Sequence, residues 1–489
     1  MPRETTVFPL SLPAPPPGEN LYRWLYGELR AAILDGRLCP GARLPATRDL
    51  ALAYNLSRAT VVTAFDQLKS EGYVEGRSGS GTYVSEVLPE HLLDVSGPYQ
   101  PVRLPHPRIP LSSYARRLQP IPARASRPLR AFRAHQPALD LFPTDLWAQV
   151  AARRLRRVSA SLLAGGEPLG YRPLREAVAE YLNASRGVKC IADQVLILSG
   201  AQEGLDRTAR IVLNPGELVW MEEPGYPRAD VVFQALGARI RRVPVDAEGL
   251  ALEIGRSRWS APRLVYVTPG HQFPLGVTMS LRRRLALLEW ARRSGTLIFE
   301  DDYDSEYRYS GRPIPAMQGL DRSGVVIFTG SFSAVLFPGL RLGYLVVPRE
   351  MVDIFATAAS ASTHHPPLLE QAILCDFISE GHFARHIRRM RELYAERLGV
   401  LLQCAKEKLG GVLEISSVEA GLQTAGWLKG NMRAERVTQL AAERNVEVIP
   451  LSRYVSGKSG PNGLILGFAA VPPRELRRGV DELAKVLKA

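Results

Sequence analysis

Lysine is scarce in this chain of 489 residues: of 62 basic side chains only eight are lysine (Lys69, Lys189, Lys406, Lys408, Lys429, Lys458, Lys485 and Lys488). An arginine-rich overall composition accounts for that as well as any function does. Cysteine is scarcer still. Cys39, Cys190, Cys375 and Cys404 are scattered with no C-x-x-C spacing, which argues against a disulfide framework and against a zinc site. No apolar run approaches the roughly 18 residues that a membrane span requires, and Met1 to Leu12 lacks the apolar core of a signal peptide. A cytoplasmic, reducing location with no membrane partner is expected. With 46% apolar and 23% charged residues, wholesale disorder is excluded, and the length suggests two or three domains.

The net charge is +13, which permits an anionic partner such as nucleic acid, but its placement matters more than its size. Residues 19–85 carry 8 basic and 7 acidic side chains, whereas residues 86–134 carry 8 basic and 3 acidic ones. The excess therefore sits in a Pro/Arg-rich stretch (Pro98, Pro101, Pro105, Pro107 and Pro110) without helical or strand periodicity, expected as a linker over 86–134. Residues 1–18, also Pro-rich, read as an extended arm. From 135 to 489, short apolar runs (Val195–Leu198, Val219–Met221, Leu264–Val267, Thr296–Phe299, Val325–Phe328) alternate with helical patterns such as Leu174–Leu182 and Leu281–Arg293. That alternation predicts an α/β domain with a mostly parallel sheet.

In residues 19–85, Leu21, Leu25, Leu29 and Ile33 recur at helical spacing until the Gly36–Gly41 turn. Thr47 reads as the cap of a short helix, Arg48 to Tyr54. Ser57 reads as the cap of a third, running through Val61, Phe65 and Leu68 to about Ser70. Two short helices joined by a tight turn fit helix-turn-helix geometry, with the N-terminus of the second placed to meet phosphate and Arg58 and Thr60 to face base edges. Tyr73 to Val84 then reads as a hairpin with a Gly-rich turn, a wing bearing Arg77. A small three-helix module without a DNA role is the plainer alternative, and the hairpin directly after helix three weighs against it.

The second domain offers four local signals. Ser199-Gly200-Ala201-Gln202 follows a strand and opens a helix, a turn whose backbone N–H groups can meet phosphate. Glu223-Pro224-Gly225-Tyr226 could present an aromatic face. Glu300 to Glu306 holds five carboxylates in seven residues at a strand's C-terminal end, where ligands of parallel sheets bind. A metal cluster, a partner for a protonated pyridine nitrogen and a solvated acidic loop all fit that run. Last, Gly330 to Tyr344 brings Ser331, Ser333 and Arg341 near one turn, suited to a phosphate ester.

"GRLCPGARLPATRDLALAYNLSRATVVTAFDQLKSEGYVEGRSGSGTYV" resembles the winged helix-turn-helix domain of GntR-superfamily regulators. By that resemblance Arg48, Ser57, Arg58, Thr60 and Arg77 are the expected contacts to double-stranded DNA. "PLGYRPLREAVAEYL", "LSGAQEGLD", "EEPGYP", "TPGHQFPLG", "FEDDYDSEY" and "GSFSAVLFPGLRLGYLVVP" resemble fold-type I pyridoxal-phosphate enzymes of the aspartate-aminotransferase kind. The whole resembles the MocR-type regulators. The resemblance implies an α/β fold: a winged helix, then a large aminotransferase-like domain with a mostly parallel sheet and a smaller C-terminal α+β part. It implies pyridoxal 5′-phosphate as cofactor, with Asp301 on the pyridine nitrogen and Tyr303 on the ring hydroxyl. Tyr226 would stack on the ring, and Ser331, Ser333, Arg341 and the backbone of Ala201 and Gln202 would hold the phosphate. It also implies a homodimer, and no metal. The chain departs from the pattern at Ala334, where the family's "SFSK" carries the Schiff-base lysine, and no lysine lies between Lys189 and Lys406 to replace it. It departs again at Gly165, where the family often has a tyrosine, and in Leu464 to Phe468, which lacks a substrate-binding arginine. Without an internal aldimine or a lysine proton shuttle, efficient transamination is not expected. The expected function is a DNA-binding transcriptional regulator sensing pyridoxal phosphate, or its adduct with an amino acid or amine, non-covalently. The alternative is an aminotransferase with a fused winged helix.

Overall fold

The computed structural model describes residues 12–16, 18–77, 80–89, 110–120, 128–309, 315–457 and 460–488. They form two compact units, residues 1–109 and 110–489. Of the expected arm, Leu12 is buried in the first core and its N–H donates to the Tyr54 hydroxyl, while residues 1–11 and 17 lie outside the described residues.

In the first unit the helices Leu21–Leu34, Thr47–Ala53 and Arg58–Ser70 pack around Leu25, Leu29, Ile33, Leu50, Val61, Ala64 and Leu68. The helical spacing of the apolar residues in the first and third of these is what brings those side chains to one centre. Ser57 is the N-cap of the third helix, its Oγ accepting from the Thr60 N–H at 3.1 Å. The second helix begins at its expected cap, one residue early: Thr47 is already helical, and Ala46 occupies the cap without a side-chain bond. Val74–Arg77 and Gly81–Val84 pair antiparallel as the wing, and Arg43 bridges to Tyr83 of the second strand.

The second unit holds an eight-stranded sheet. In spatial order its strands are Val195–Leu198, Gly343–Val346, Val326–Ser331, Leu297–Asp302, Leu264–Val267, Leu218–Glu223, Arg239–Asp246 and Gly249–Leu250. Five central strands run parallel; Gly343–Val346 runs antiparallel to both neighbours, as does Gly249–Leu250 to Arg239–Asp246. The near-continuous apolar character of these strands follows from cover on both faces. A separate four-stranded antiparallel sheet, Leu413–Ile415, Gln423–Leu428, Gly463–Gly467 and Ile449–Pro450, forms the smaller C-terminal part with the helices His382–Lys408, Ala434–Glu443 and Pro473–Lys488.

Residues 110–134 differ from a featureless linker. Ser112 caps a helix Ser113–Arg117, whose Arg117 Nε donates to the Ala235 carbonyl (3.1 Å) and whose Tyr114 hydroxyl accepts from Arg210 (2.8 Å). Ala131 and Phe132 are fully buried and bridge to Val446 and Gly467. The physical reason is that arginine stems and these two apolar residues cover the second unit's surface, so its compact body begins at Pro110. Residues 90–109 and 121–127 of that stretch lie outside the described residues.

Candidate functional site

The carboxyl ends of the parallel strands carry the site, as open α/β sheets dictate. Two strands run further than their apolar cores: Leu297–Asp302 includes the first acidic residues, and Val326–Ser331 reaches Ser331. Asp301 therefore sits inside the sheet, opposite Thr329, and is only 8% exposed. Tyr266, on the adjacent strand, donates its hydroxyl to Asp301 Oδ2 at 2.7 Å. Asp301 Oδ1 is buried without a partner, and burial pushes the carboxyl up to about 7. The Tyr226 ring, at the start of the helix Pro227–Leu236, stacks at 18° and 6.5 Å on Tyr266.

The five clustered carboxylates do not converge. Alternation along the strand and the turn after it send them to separate partners. Glu300 accepts from the N–H groups of Met317 and Gln318, Asp302 pairs with Arg186, Glu306 accepts from Tyr181, and Asp304 meets His271. Among the described residues no group of three or more His, Cys, Asp or Glu could hold a metal ion.

The second half of the site is an anion cup. Gly200, at φ 116°, turns the strand Val195–Leu198 into the helix Ala201–Val212, placing the N–H groups of Ala201 and Gln202 at its open N-terminus. Gly343 lies between Gly200 and Gly330, and so brings Arg341, two residues earlier and left-handed at φ 52°, over the same turn. A side chain at Gly200 would meet the Arg341 guanidinium at 3.8 Å. Ser331 borders the cup and caps the short helix Phe332–Val335, accepting from the Ala334 N–H at 3.3 Å. Ser333, two residues on, has a buried hydroxyl that accepts from the Leu342 N–H (3.1 Å) and lies 3.3 Å from the Leu342 carbonyl, so it also fastens the Arg341 turn. Gln202 directs its amide N–H to the Arg228 carbonyl, leaving only its backbone for the cup.

Tyr303 follows the strand Leu297–Asp302, and its hydroxyl lies 3.0 Å from His271 Nδ1. His271, within "TPGHQFPLG", Tyr266 and Glu222 stand here with no sequence motif that assigns them a role; a histidine just past a parallel strand's carboxyl end is the available signal. Glu222 is buried and raised to about 7 by that burial; its Oε2 accepts from Thr268 while Oε1 has no partner.

On the first unit, Arg48 and Arg58 are exposed and have no ion-pair partner among the described residues, whereas the other expected contacts are engaged locally. Ser57 Oγ and Thr60 Oγ1 lie 2.7 Å apart, and Arg77 binds Glu75 (2.7 Å) and stacks 4.8 Å over its own wing's Tyr83.

The family model for class I and II aminotransferases matches residues 140–483, and that for the gntR family of bacterial regulatory proteins matches residues 21–84. The chain is 42% identical over 470 residues to the probable rhizopine catabolism regulatory protein MocR of Rhizobium meliloti, covering 96% of this chain and 94% of that protein. It is 30% identical to the pyridoxine biosynthesis transcriptional regulator PdxR of Corynebacterium glutamicum, covering 94% of each. Among solved structures, the α-aminoadipate aminotransferase LysN of Thermus thermophilus, complexed with N-(5′-phosphopyridoxyl)-L-leucine, superposes with a TM-score of 0.70 at 29% identity, covering 77% of this chain and 97% of that one. A gntR-type winged helix joined to an aminotransferase domain, matched across both by a regulator, means that the chain belongs to the MocR-type transcriptional regulators.

Proposed function

We propose that the second unit of this regulator binds pyridoxal 5′-phosphate, or its adduct with an amino acid or amine, without a covalent bond, and that the ligand governs how the winged helices of a homodimer engage double-stranded DNA. A single observation carries the ligand reading: the buried, partnerless Oδ1 of Asp301 lies in the sheet segment next to the anion cup. An N–H of a protonated ring is the group that such an oxygen lacks. In this reading Asp301 holds the ring nitrogen, Tyr226 packs against the ring face and Tyr303 meets the ring oxygen. Arg341, Ser331, Ser333 and the backbone N–H groups of Ala201 and Gln202 hold the phosphate.

Pyridoxal phosphate supplies an electron-withdrawing ring conjugated to an aldehyde. The methyl group of Ala334 offers neither an amine to attach it nor a proton to move, so the site binds and orients the ligand but does not turn it over. The enzyme alternative has less support, because the regulators named above match 94% or more of the chain, winged helix included. A twofold dimer would set two winged helices against paired half-sites, and a chromosome reader of this kind works in the cytoplasm.

Titration of pyridoxal phosphate into the purified protein tests the reading. Arg341→Ala removes a charge-assisted contact worth about 1.5–3 kcal/mol and should weaken binding roughly ten- to hundred-fold. Asp301→Ala should weaken it as well. Unchanged affinity in both variants would remove the ligand from the account.

A further inference from the structure

His271 is enclosed more tightly than any other histidine of the second unit. It is 2% exposed, and a Cβ on either Gly276 (φ 79°) or Gly421 (φ 95°) would press into its imidazole. Its Nδ1 faces both oxygens of Asp304, at 2.9 and 3.1 Å, and the Tyr303 hydroxyl at 3.0 Å. Its Nε2 is buried and has no partner. These contacts select one tautomer. A proton on Nε2 alone would leave a buried N–H without an acceptor and turn the Nδ1 lone pair toward two carboxylate oxygens. A proton on Nδ1 satisfies Asp304, which also accepts from the backbone N–H of Leu422, and leaves only a lone pair unmatched. With Nδ1 protonated, its one N–H is shared between the Asp304 carboxylate and the Tyr303 oxygen, and Nδ1 keeps no lone pair to accept the Tyr303 proton. The Tyr303 proton is then available to another acceptor.

We infer that His271, clamped by Asp304, is a positioning residue that makes Tyr303 a hydrogen-bond donor toward an anionic oxygen on the ligand. On the cofactor reading above, which this inference rests on, that oxygen is the ring oxygen of pyridoxal phosphate, and it is held as phenolate rather than phenol. Tyr303 suits the task because it keeps its own proton. Burial raises its phenol well above the ordinary value, and the carboxylates that face it, Asp304, Asp301, Glu222 and Asp302, raise it further. The phenolate and the Asp301-bound ring nitrogen would together give the ligand a negative edge and a positive edge, each met by a group of opposite polarity.

Two measurements test this. The first needs no ligand: nitrogen NMR of the full chain labelled at histidine, with His271→Asn identifying the resonance, should show the Nδ1–H tautomer. A neutral Nε2–H ring with bare Nδ1 would overturn the inference whatever the protein binds. The second follows the absorption spectrum of protein-bound pyridoxal phosphate against pH. His271→Phe should favour the phenol over the phenolate by roughly tenfold, an upward shift of about one pH unit in the midpoint. His271→Asn, whose amide N–H can replace Nδ1–H, should recover part of the shift. Combined with Tyr303→Phe, the His271→Phe change should add nothing, because it acts through that hydroxyl. Binding by every variant with an unshifted midpoint, or additive shifts in the double variant, would overturn the inference while leaving the cofactor reading intact. No binding by the unmodified protein would overturn both.

Discussion

At the scale of single residues, Asp301 links the site to stability. Burial raises its carboxyl from an ordinary 3.8 to about 7, so the folded state binds the proton more tightly than the unfolded chain does. The stability that the protonated form permits is complete below about pH 4 and is lost as pH rises to about 7. Thermal melts of ligand-free protein across that window should fall less steeply for Asp301→Asn than for the unmodified chain; parallel curves would show that Asp301 is already neutralised by another group. Ala334 gives the second residue-scale test. Borohydride should fix no pyridoxal phosphate to the protein as it stands, whereas Ala334→Lys should yield an adduct at residue 334. An adduct on some other lysine of the unaltered chain would contradict non-covalent binding. The places of Asp301 at a strand's end, Tyr226 at a helix start and Arg341 in a turn were legible in the sequence because each stands in a motif whose neighbours fix it. The bonds of the Ser333 hydroxyl to Leu342 were not, since a buried rotamer is set by the fold around it and not by the motif. His271 escaped for a related reason: its meaning depends on Asp304 and Gly421, which only the fold brings to it.

At the scale of elements, apolar periodicity located the helices and strands, and the errors fell at their ends. Polar residues that continue a strand past its apolar core, such as Asp301 and Asp302, carry no hydrophobic signal, so the strand's expected end fell at Phe299. The helix Ser113–Arg117 was hidden for a different reason. Five residues flanked by proline show no period, and its stability comes from the surface on which it lies. This gives its two arginines different roles. Arg117→Ser should cost about 1 kcal/mol of stability through the lost bond to Ala235, measured by denaturant unfolding. Arg116 is exposed, and its replacement by serine should leave stability unchanged while lowering the salt dependence of DNA binding by at most about one phosphate contact. Equal effects of the two changes on stability would refute the docking of this helix.

At the scale of the whole molecule, the sequence already distinguishes two units: a winged helix with Arg48 and Arg58 exposed, and an aminotransferase fold with Ala334 where the family resemblance expects a lysine. What makes them a regulator is coupling, and coupling is reciprocal: a ligand that changes affinity for DNA must have its own affinity changed by DNA to the same degree. The most direct test is fluorescence anisotropy of the protein on its own upstream DNA at fixed salt, with pyridoxal phosphate titrated through the range in which it binds. DNA affinity should shift and saturate together with the absorbance change of the bound ligand, and Arg58→Ala should weaken DNA binding by about 1–3 kcal/mol while leaving ligand affinity in the absence of DNA unchanged. DNA affinity that stays flat across full saturation with ligand would contradict the account.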